Sequence, residues 1–318
     1  MIRGRQLTVR VADKVYLAPG ICSLELVHPD GKPLPPFAAG AHIDLALPGD
    51  HVRQYSLCNA PSERHRNLLG VLDQPGGRGG SRAVHEKLHA GALLSISEPR
   101  CHFALAEEAT ESVLLAGGIG ITPLLSMAEH LAVQQRAFSL DYFARSVRTA
   151  AFLDRIAGAP WSGRARMHFD DQGGGDPGAV IGAPDTGKHL YVCGPTGFLD
   201  AALDTARRLG WREDYLHREY FSNEGANADG GAFKVRIVRT GLEYVVGTNE
   251  TVVAALARVG IDIPVSCEQG VCGTCLTRVL GGIPAHRDMF LTEEEQARND
   301  QFTPCCSRAL TPVLVLDL

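Results

Sequence analysis

Apolar and polar residues alternate through the first hundred positions. QLTVRVADKVYLA and ICSLELVHP each present one apolar face, PDGKPLPPF punctuates them, and AHIDLALPG and QYSLCNAP continue the series. A period of two, broken repeatedly by Gly and Pro, predicts short strands in a sandwich or small barrel. One helix is predicted among them, SRAVHEKLHAG, with Ser81 as N-cap and Gly91 just past its end. After EEATE at 107–111 the texture changes. SVLLAGG, FSLDYFARS, RARMHFDD and HLYVCG read as buried strands, and ITPLLSMAEHLAVQQ, TAAFLDRIAG and TGFLDAALDTARRLG as helices between them. Strands alternating with helices predict βαβ units on a parallel sheet. SNEGANADGGA at 222–232 carries almost no large apolar residue and reads as a flexible linker. Beyond it FKVRIVRT and LEYVVG form a hairpin through Gly241, TVVAALARVG a helix closed by Gly260, and LTRVLGG and PVLVLDL two further strands. The expected domains are therefore 1–107, 108–223 and 233–318, with the linker at 224–232.

Composition narrows the class. With 318 residues, 45% hydrophobic and 21% charged, the chain has the make-up of two or three globular domains. A net charge of -5 gives no basic face for nucleic acid. The N-terminus alternates instead of forming an apolar signal core, and there is no apolar run of ~18 residues. The expectation is a cytoplasmic protein with neither a nucleic-acid nor a membrane partner.

There are nine cysteines, an odd count that suits free thiols better than a disulfide framework. Cys22, Cys58, Cys101, Cys193 and Cys306 stand outside any ligand spacing and read as buried thiols. Cys267, Cys272 and Cys275 are spaced C-x4-C-x2-C, and Cys305 follows far downstream. That is the pattern of a plant-type 2Fe–2S cluster. Three thiolates must meet on one face of a tight loop, and Gly270, Gly273 and Thr274 are small enough to let its N–H groups turn toward the cluster sulfurs. Zinc and a redox dithiol are the competing readings, but zinc sites usually pair two C-x2-C units, whereas the downstream half here is Cys305–Cys306. The loop resembles the ferredoxin family. In PCCSRA at 304–309 the resemblance puts the fourth ligand at Cys305, not Cys306.

A cluster that carries single electrons needs a donor upstream. Arg53-Gln-Tyr-Ser-Leu57 offers a cation, an aromatic wall and a hydroxyl in one short segment. Alone it is a weak signal, since an Arg–Tyr pair on a sheet face is more often simple surface packing. Gly76-Gly-Arg-Gly-Gly-Ser81 then opens the first predicted helix, with Arg78 adding charge. Free N–H groups and the positive helix end make such a turn a phosphate site. Leu114-Leu-Ala-Gly-Gly-Ile-Gly-Ile-Thr-Pro123 follows a buried strand and opens a helix, which suits a pyrophosphate. Tyr191-Val-Cys-Gly-Pro195 ends another strand of the same sheet. Open α/β sheets bind ligands at the carboxyl ends of their strands, so both segments fall on one rim.

FAAGAHIDLALPG, RQYSLCNAP, GGRGGS, LLAGGIGITPLLSM, YFARS, YVCGP, HREYF and CEQGVCGTC occur in this order. Together they resemble the ferredoxin–NAD(P) reductase superfamily, in particular its phthalate dioxygenase reductase and vanillate O-demethylase reductase type. The resemblance spans nearly the whole chain. It implies an antiparallel β-barrel flavin domain, an α/β nucleotide domain and an α+β β-grasp ferredoxin domain. Arg53, Tyr55 and Ser56 would contact the flavin, and Gly79, Gly80 and Ser81 its phosphate. GRGGS implies FMN rather than FAD. Gly118, Gly120, Ile121, Thr122 and Pro123 would lie along the nicotinamide nucleotide, with Cys193, Gly194 and Pro195 beside its ring. Phe221 would cover the flavin face until nicotinamide displaces it. Arg145 and Ser146 would lie near the adenosine ribose, and the family favours NADH over NADPH.

The implied function is the reductase component of a two-component oxygenase. Hydride passes from NADH to the flavin, electrons go singly to the cluster, and from there to a terminal oxygenase with a Rieske centre. Ser56, Cys193 and Phe221 would stand at the hydride step, which needs positioning more than acid–base chemistry. The alternatives are a haem-thiolate monooxygenase as partner, a stand-alone electron carrier in which only the last domain works, and a zinc-stabilised flavoprotein. His85 and His89 at i, i+4, and the run Glu293–Glu295, read as solvated surface.

Overall fold

The N-terminal alternation becomes six strands and one helix. They are β1 (Gln6–Ala18), β2 (Ile21–Val27), β3 (His42–Leu47), β4 (His51–Ser56), β5 (Asn67–Leu72), α1 (Gly80–Lys87) and β6 (Leu93–Ser97). In the computed structural model, which describes residues 5–49, 51–77, 79–221 and 230–318, the strands order as β4-β3-β6-β1-β2-β5. A bridge between Leu57 and Leu69 joins the two outer strands and closes the antiparallel barrel. Its interior is filled by inward positions of the alternation, among them Leu24, Leu26, Ile43, Leu45, Leu69 and Ile96. Burial of such side chains stabilises by about 1.5–3 kcal/mol each.

The βαβ segment supplies β7 (Glu111–Gly117), α2 (Ile121–Val133), β8 (Ala137–Ala144), α3 (Leu153–Ala157), β9 (Ala165–Phe169), α4 (Pro177–Ile181), β10 (Lys188–Gly194), α5 (Thr196–Arg208) and β11 (Leu216–Tyr220). The order is β11-β10-β7-β8-β9, with β7 parallel to both β8 and β10. The chain leaves β7 toward β8 on one side and returns as β10 on the other. The crevice beyond β7 and β10 is thus a topological switch point, where open α/β sheets take their ligands.

By contact density the chain divides into Met1–Glu219 and Tyr220–Leu318. The expected limit at 107 therefore falls inside the first unit, and the packing explains why. A Cβ on Gly70 of β5 would stand 2.7 Å from Thr122 Cγ2 and 2.9 Å from Phe152. The Tyr191 hydroxyl of β10 accepts from the Ala106 amide at 2.8 Å. The expected linker falls largely on 222–229, outside the described residues.

The second unit holds β12 (Phe233–Ile237), β13 (Glu243–Val246), α6 (Val252–Ala257), β14 (Thr277–Gly281), β15 (Pro284–Ala285), α7 (Glu293–Arg298), β16 (Gln301–Phe302), β17 (Arg308–Ala309) and β18 (Val313–Leu316). The sheet runs β13-β12-β18-β14-β16, with β12 and β18 a central parallel pair and β15 paired to β17. Val252, Ala255 and Leu256 of α6 pack on Val235, Phe302 and Leu314. This is the β-grasp arrangement.

Of the two surface readings, the acidic run stays at the surface and His85 changes. The run Glu293–Glu295 begins α7, where Thr292 and Glu295 form a reciprocal capping box and the carboxylates meet the positive helix end. His85 is not a solvated position: its Nε2 sits 3.1 Å from the Val71 carbonyl and 3.7 Å from Cys22 Sγ. Among the described residues no helix is long and apolar enough to cross a membrane.

Candidate functional site

Helix α1 starts two residues earlier than the hydroxyl rule places it. Gly79, at φ +82°, is the N-cap, a left-handed conformation open to glycine, and Gly80 is the first helical residue. Ser81 lies inside the first turn, and its Oγ accepts from the Gln74 amide at 3.0 Å. A Cβ on Gly80 would fall 2.6 Å from Arg53 Nε. The absent side chain is what lets the β4 guanidinium lie against the helix start. Arg53 and Gly79–Ser81, far apart in sequence, thus form one cationic cradle of backbone donors that fits a phosphate. Arg78 lies outside the described residues. Tyr55 packs on the barrel core.

Ser56 faces the parallel sheet. Its hydroxyl donates to Glu219 Oε2 at 3.2 Å. Glu219 lies in the edge strand β11, and burial pushes its carboxyl up to about 8 against the Ser56 hydrogen bond. Its charge is felt at Cys193, which is fully buried at the end of β10, and burial raises that thiol well above its ordinary range. Ser56 of the barrel thus bonds to Glu219 of the sheet, and Cys193 ends the neighbouring strand β10. The role of Glu219 was not visible in HREYF, although an ionisable residue in a strand leading to Phe221 was a usable signal. Phe221 follows β11 directly.

The two glycine motifs of the rim are in contact. A Cβ on Gly120 would collide with the Cys193 carbonyl and stand 2.6 Å from the Gly194 amide nitrogen. A Cβ on Gly194 would be 3.0 Å from Gly117 Cα and 2.9 Å from the Phe198 ring. Gly118, at φ +53°, turns the chain between them. The glycines let the ends of β7 and β10 close on each other, and among them only Gly118 has open space beside its Cα. Ile121, Thr122 and Pro123 are buried at the start of α2, with the Thr122 hydroxyl donating to the Ile119 carbonyl at 3.0 Å. Pro195 caps α5 and is exposed. Phe198, in the first turn of α5, lies against Gly117 and Gly194 and went unassigned in the sequence. Arg145 is exposed beyond β8, and Ser146 forms a capping box with Thr149.

In the second unit Cys267, Cys272, Cys275 and Cys305 are all buried. Their thiols are linked pairwise: Cys267 to Cys272 and to Cys305, and Cys305 to Cys275. Glu268, Gly270 and Gly273 take positive φ (53°, 72° and 67°), which curls the loop around the thiols. The Gln269 amide donates to Cys267 Sγ at 3.4 Å. Hydrogen bonding to Cys267, with burial, pushes the Cys272 thiol far above its ordinary range. Thiols crowded in this way lose their protons only to a bound cation, so the donor set fits iron. Among the described residues no three His, Cys, Asp or Glu side chains gather about a single ion. Cys306 is linked to Cys305 as well, and it also faces hydroxyls, 3.3 Å from Thr303 Oγ1 and 3.9 Å from Ser307 Oγ.

At neutral pH a Glu219 carboxyl held near 8 is protonated, and its charge appears only as pH rises through that value. An anion beside Ser56 opposes the negative charge a hydride brings. If a hydride is accepted beside Ser56, its transfer should fall off as pH rises through about 8, and Glu219→Gln, fixed in the neutral form, should lose that falling limb. A pH profile of kcat/KM that is unchanged in the variant would count against this.

The 2Fe-2S iron-sulfur cluster binding domain family matches residues 235–310. The vanillate O-demethylase oxidoreductase of Pseudomonas putida is 54% identical over 305 residues, covering 95% of this chain and 96% of that protein. The phthalate dioxygenase reductase structure, described as modular for electron transfer from pyridine nucleotides to [2Fe-2S], matches with a TM-score of 0.78 and 35% identity over 98% of each chain. An intact type IV self-sufficient cytochrome P450 monooxygenase matches with a TM-score of 0.85 and 36% identity over 98% of this chain and 41% of its own. With likeness running nearly end to end, the chain belongs to the family of vanillate O-demethylase oxidoreductases and phthalate dioxygenase reductases, the reductase components of oxygenase systems.

Proposed function

We propose that this chain takes a hydride from NADH at the junction of barrel and parallel sheet and delivers single electrons from its second unit to a Rieske-type terminal oxygenase. The carrying observation is the hydrogen bond from Ser56 of the barrel to Glu219 of the sheet, with Cys193 at the end of the neighbouring strand β10. There residues of both halves can align a hydride donor with an acceptor, and alignment is the larger part of what hydride transfer asks of a protein. When bound, FMN supplies the change from two-electron to one-electron chemistry, and a 2Fe–2S cluster carries the single electrons onward.

The chain's residues divide the work. Arg53 and Gly79–Ser81 hold the flavin phosphate, and Tyr55 and Ser56 orient the ring. Gly118, Gly120, Ile121, Thr122 and Pro123 shape the dinucleotide cradle, whose far end Arg145 and Ser146 meet at the ribose. Cys193, Gly194 and Pro195 set the nicotinamide, and Phe221 covers the flavin in its absence. Cys267, Cys272, Cys275 and Cys305 ligate the cluster. The functional divisions are 1–107 for flavin, 108–223 for nucleotide and 233–318 for the cluster, in a cytoplasmic protein.

The likeness to the self-sufficient P450 favours one second reading, a haem-thiolate monooxygenase as partner. Turnover driven by NADH, with the purified chain added to a Rieske oxygenase or to a haem-thiolate monooxygenase, tests both. Substrate oxidation with the Rieske enzyme alone is expected, and coupling to the haem enzyme alone would favour the second reading.

A further inference from the structure

Lys14 stands midway along β1, remote in sequence from every motif above. Its ammonium donates to three carbonyls at the far end of α1: Val84 at 2.9 Å, His85 at 2.6 Å and Leu88 at 3.0 Å. An ammonium has three protons, and all three are directed at one helix terminus. Val84 and His85 belong to the last turn, and Leu88 is the C-cap, so these are carbonyls the helix itself leaves without partners. Tyr16, two residues along the same strand, adds its hydroxyl to the His85 carbonyl at 3.4 Å.

The other end of α1 is the Gly79–Ser81 cradle. The helix has eight residues, of which Gly80, Ala83 and Val84 are buried. A helix of two turns is marginal by itself, and little apolar surface fixes this one. A cation at its negative end both anchors the axis and complements the dipole whose positive end meets the phosphate. We propose that Lys14 is a positioning residue for the flavin phosphate, acting through α1 from the opposite end of the helix. The proposal rests on the reading of Gly79–Ser81 as the phosphate site.

The test compares two flavins that differ only in the phosphate. Dissociation constants for FMN and for riboflavin are measured by flavin fluorescence on the full chain, for wild type, Lys14→Met and Lys14→Arg. The expected result is FMN binding weakened about tenfold in Lys14→Met, as loss of a charge at a partly buried helix terminus implies. Riboflavin binding should be unchanged, and Lys14→Arg should recover most of the loss. If Lys14→Met does not fold, Lys14→Gln takes its place. Equal weakening for both flavins, or no change for either, overturns the proposal by making Lys14 a general structural residue. A wild-type chain that binds FMN and riboflavin alike overturns the phosphate reading itself, and the proposal with it.

Discussion

Replacing Cys272 with serine is expected to abolish electron delivery to an oxygenase while NADH-driven ferricyanide reduction continues at close to the wild-type rate. Cys272 lies deep in the curled loop, 4% exposed, its Sγ–H donating to Thr274 Oγ1 at 3.2 Å and linked to Cys267. The loop has no spare donor at that place. Its turn depends on Gly273, at φ +67°, where a Cβ would collide with the Phe290 ring, so the backbone there has little freedom to shift. Serine keeps the size and the hydrogen bond to Thr274 but offers iron a harder, far less acidic donor. The first unit is untouched, and ferricyanide can take electrons there. Parallel assays of ferricyanide and oxygenase-coupled turnover check this, and equal loss in both would count against a serial path.

The second large effect is expected at the nucleotide rim. Gly120→Ala should lower kcat/KM for NADH at least about hundredfold, the scale on which misplacing a reacting group by ~1 Å acts. The flavin content should not change. The added methyl has no room: it meets the Cys193 carbonyl and the Gly194 amide, both backbone groups that no rotamer change can move aside. Either the end of β10, which carries Cys193, or the start of α2 must retreat. Steady-state kinetics beside a flavin-to-protein ratio separates this from a folding defect, since the barrel cradle of Arg53 and Gly80 is made elsewhere. Unchanged kinetics would remove Gly120 from the site.

What the sequence made legible was local. The C-x4-C-x2-C spacing is set by the reach of a single loop, and the glycine runs mark places where backbone must come close to something. Strand periodicity exposed the change from barrel to parallel sheet because both textures are written over tens of residues. The cap of α1 was read wrongly because a serine hydroxyl is the usual N-terminal signal, whereas here the left-handed Gly79 takes that place and leaves Ser81 to bind the Gln74 amide. His85 turned inward for a reason no window shows, a carbonyl offered by β5. Glu219 is the clearest omission. Its carboxyl is raised by burial that only the folded chain creates, against a hydrogen bond from Ser56 163 positions away. Lys14 is hidden for the same cause, at separations of 70, 71 and 74. Nothing in its own strand marks it.

The central claim is a fixed order of carriers, nicotinamide first, flavin next and cluster last. Anaerobic stopped-flow mixing of the purified chain with NADH, following flavin and iron–sulfur absorbance separately, tests it most directly. The account predicts that the flavin band bleaches first and the cluster band follows, and that removing the flavin leaves the cluster oxidised. Cluster reduction by NADH at an undiminished rate in flavin-free protein would contradict it.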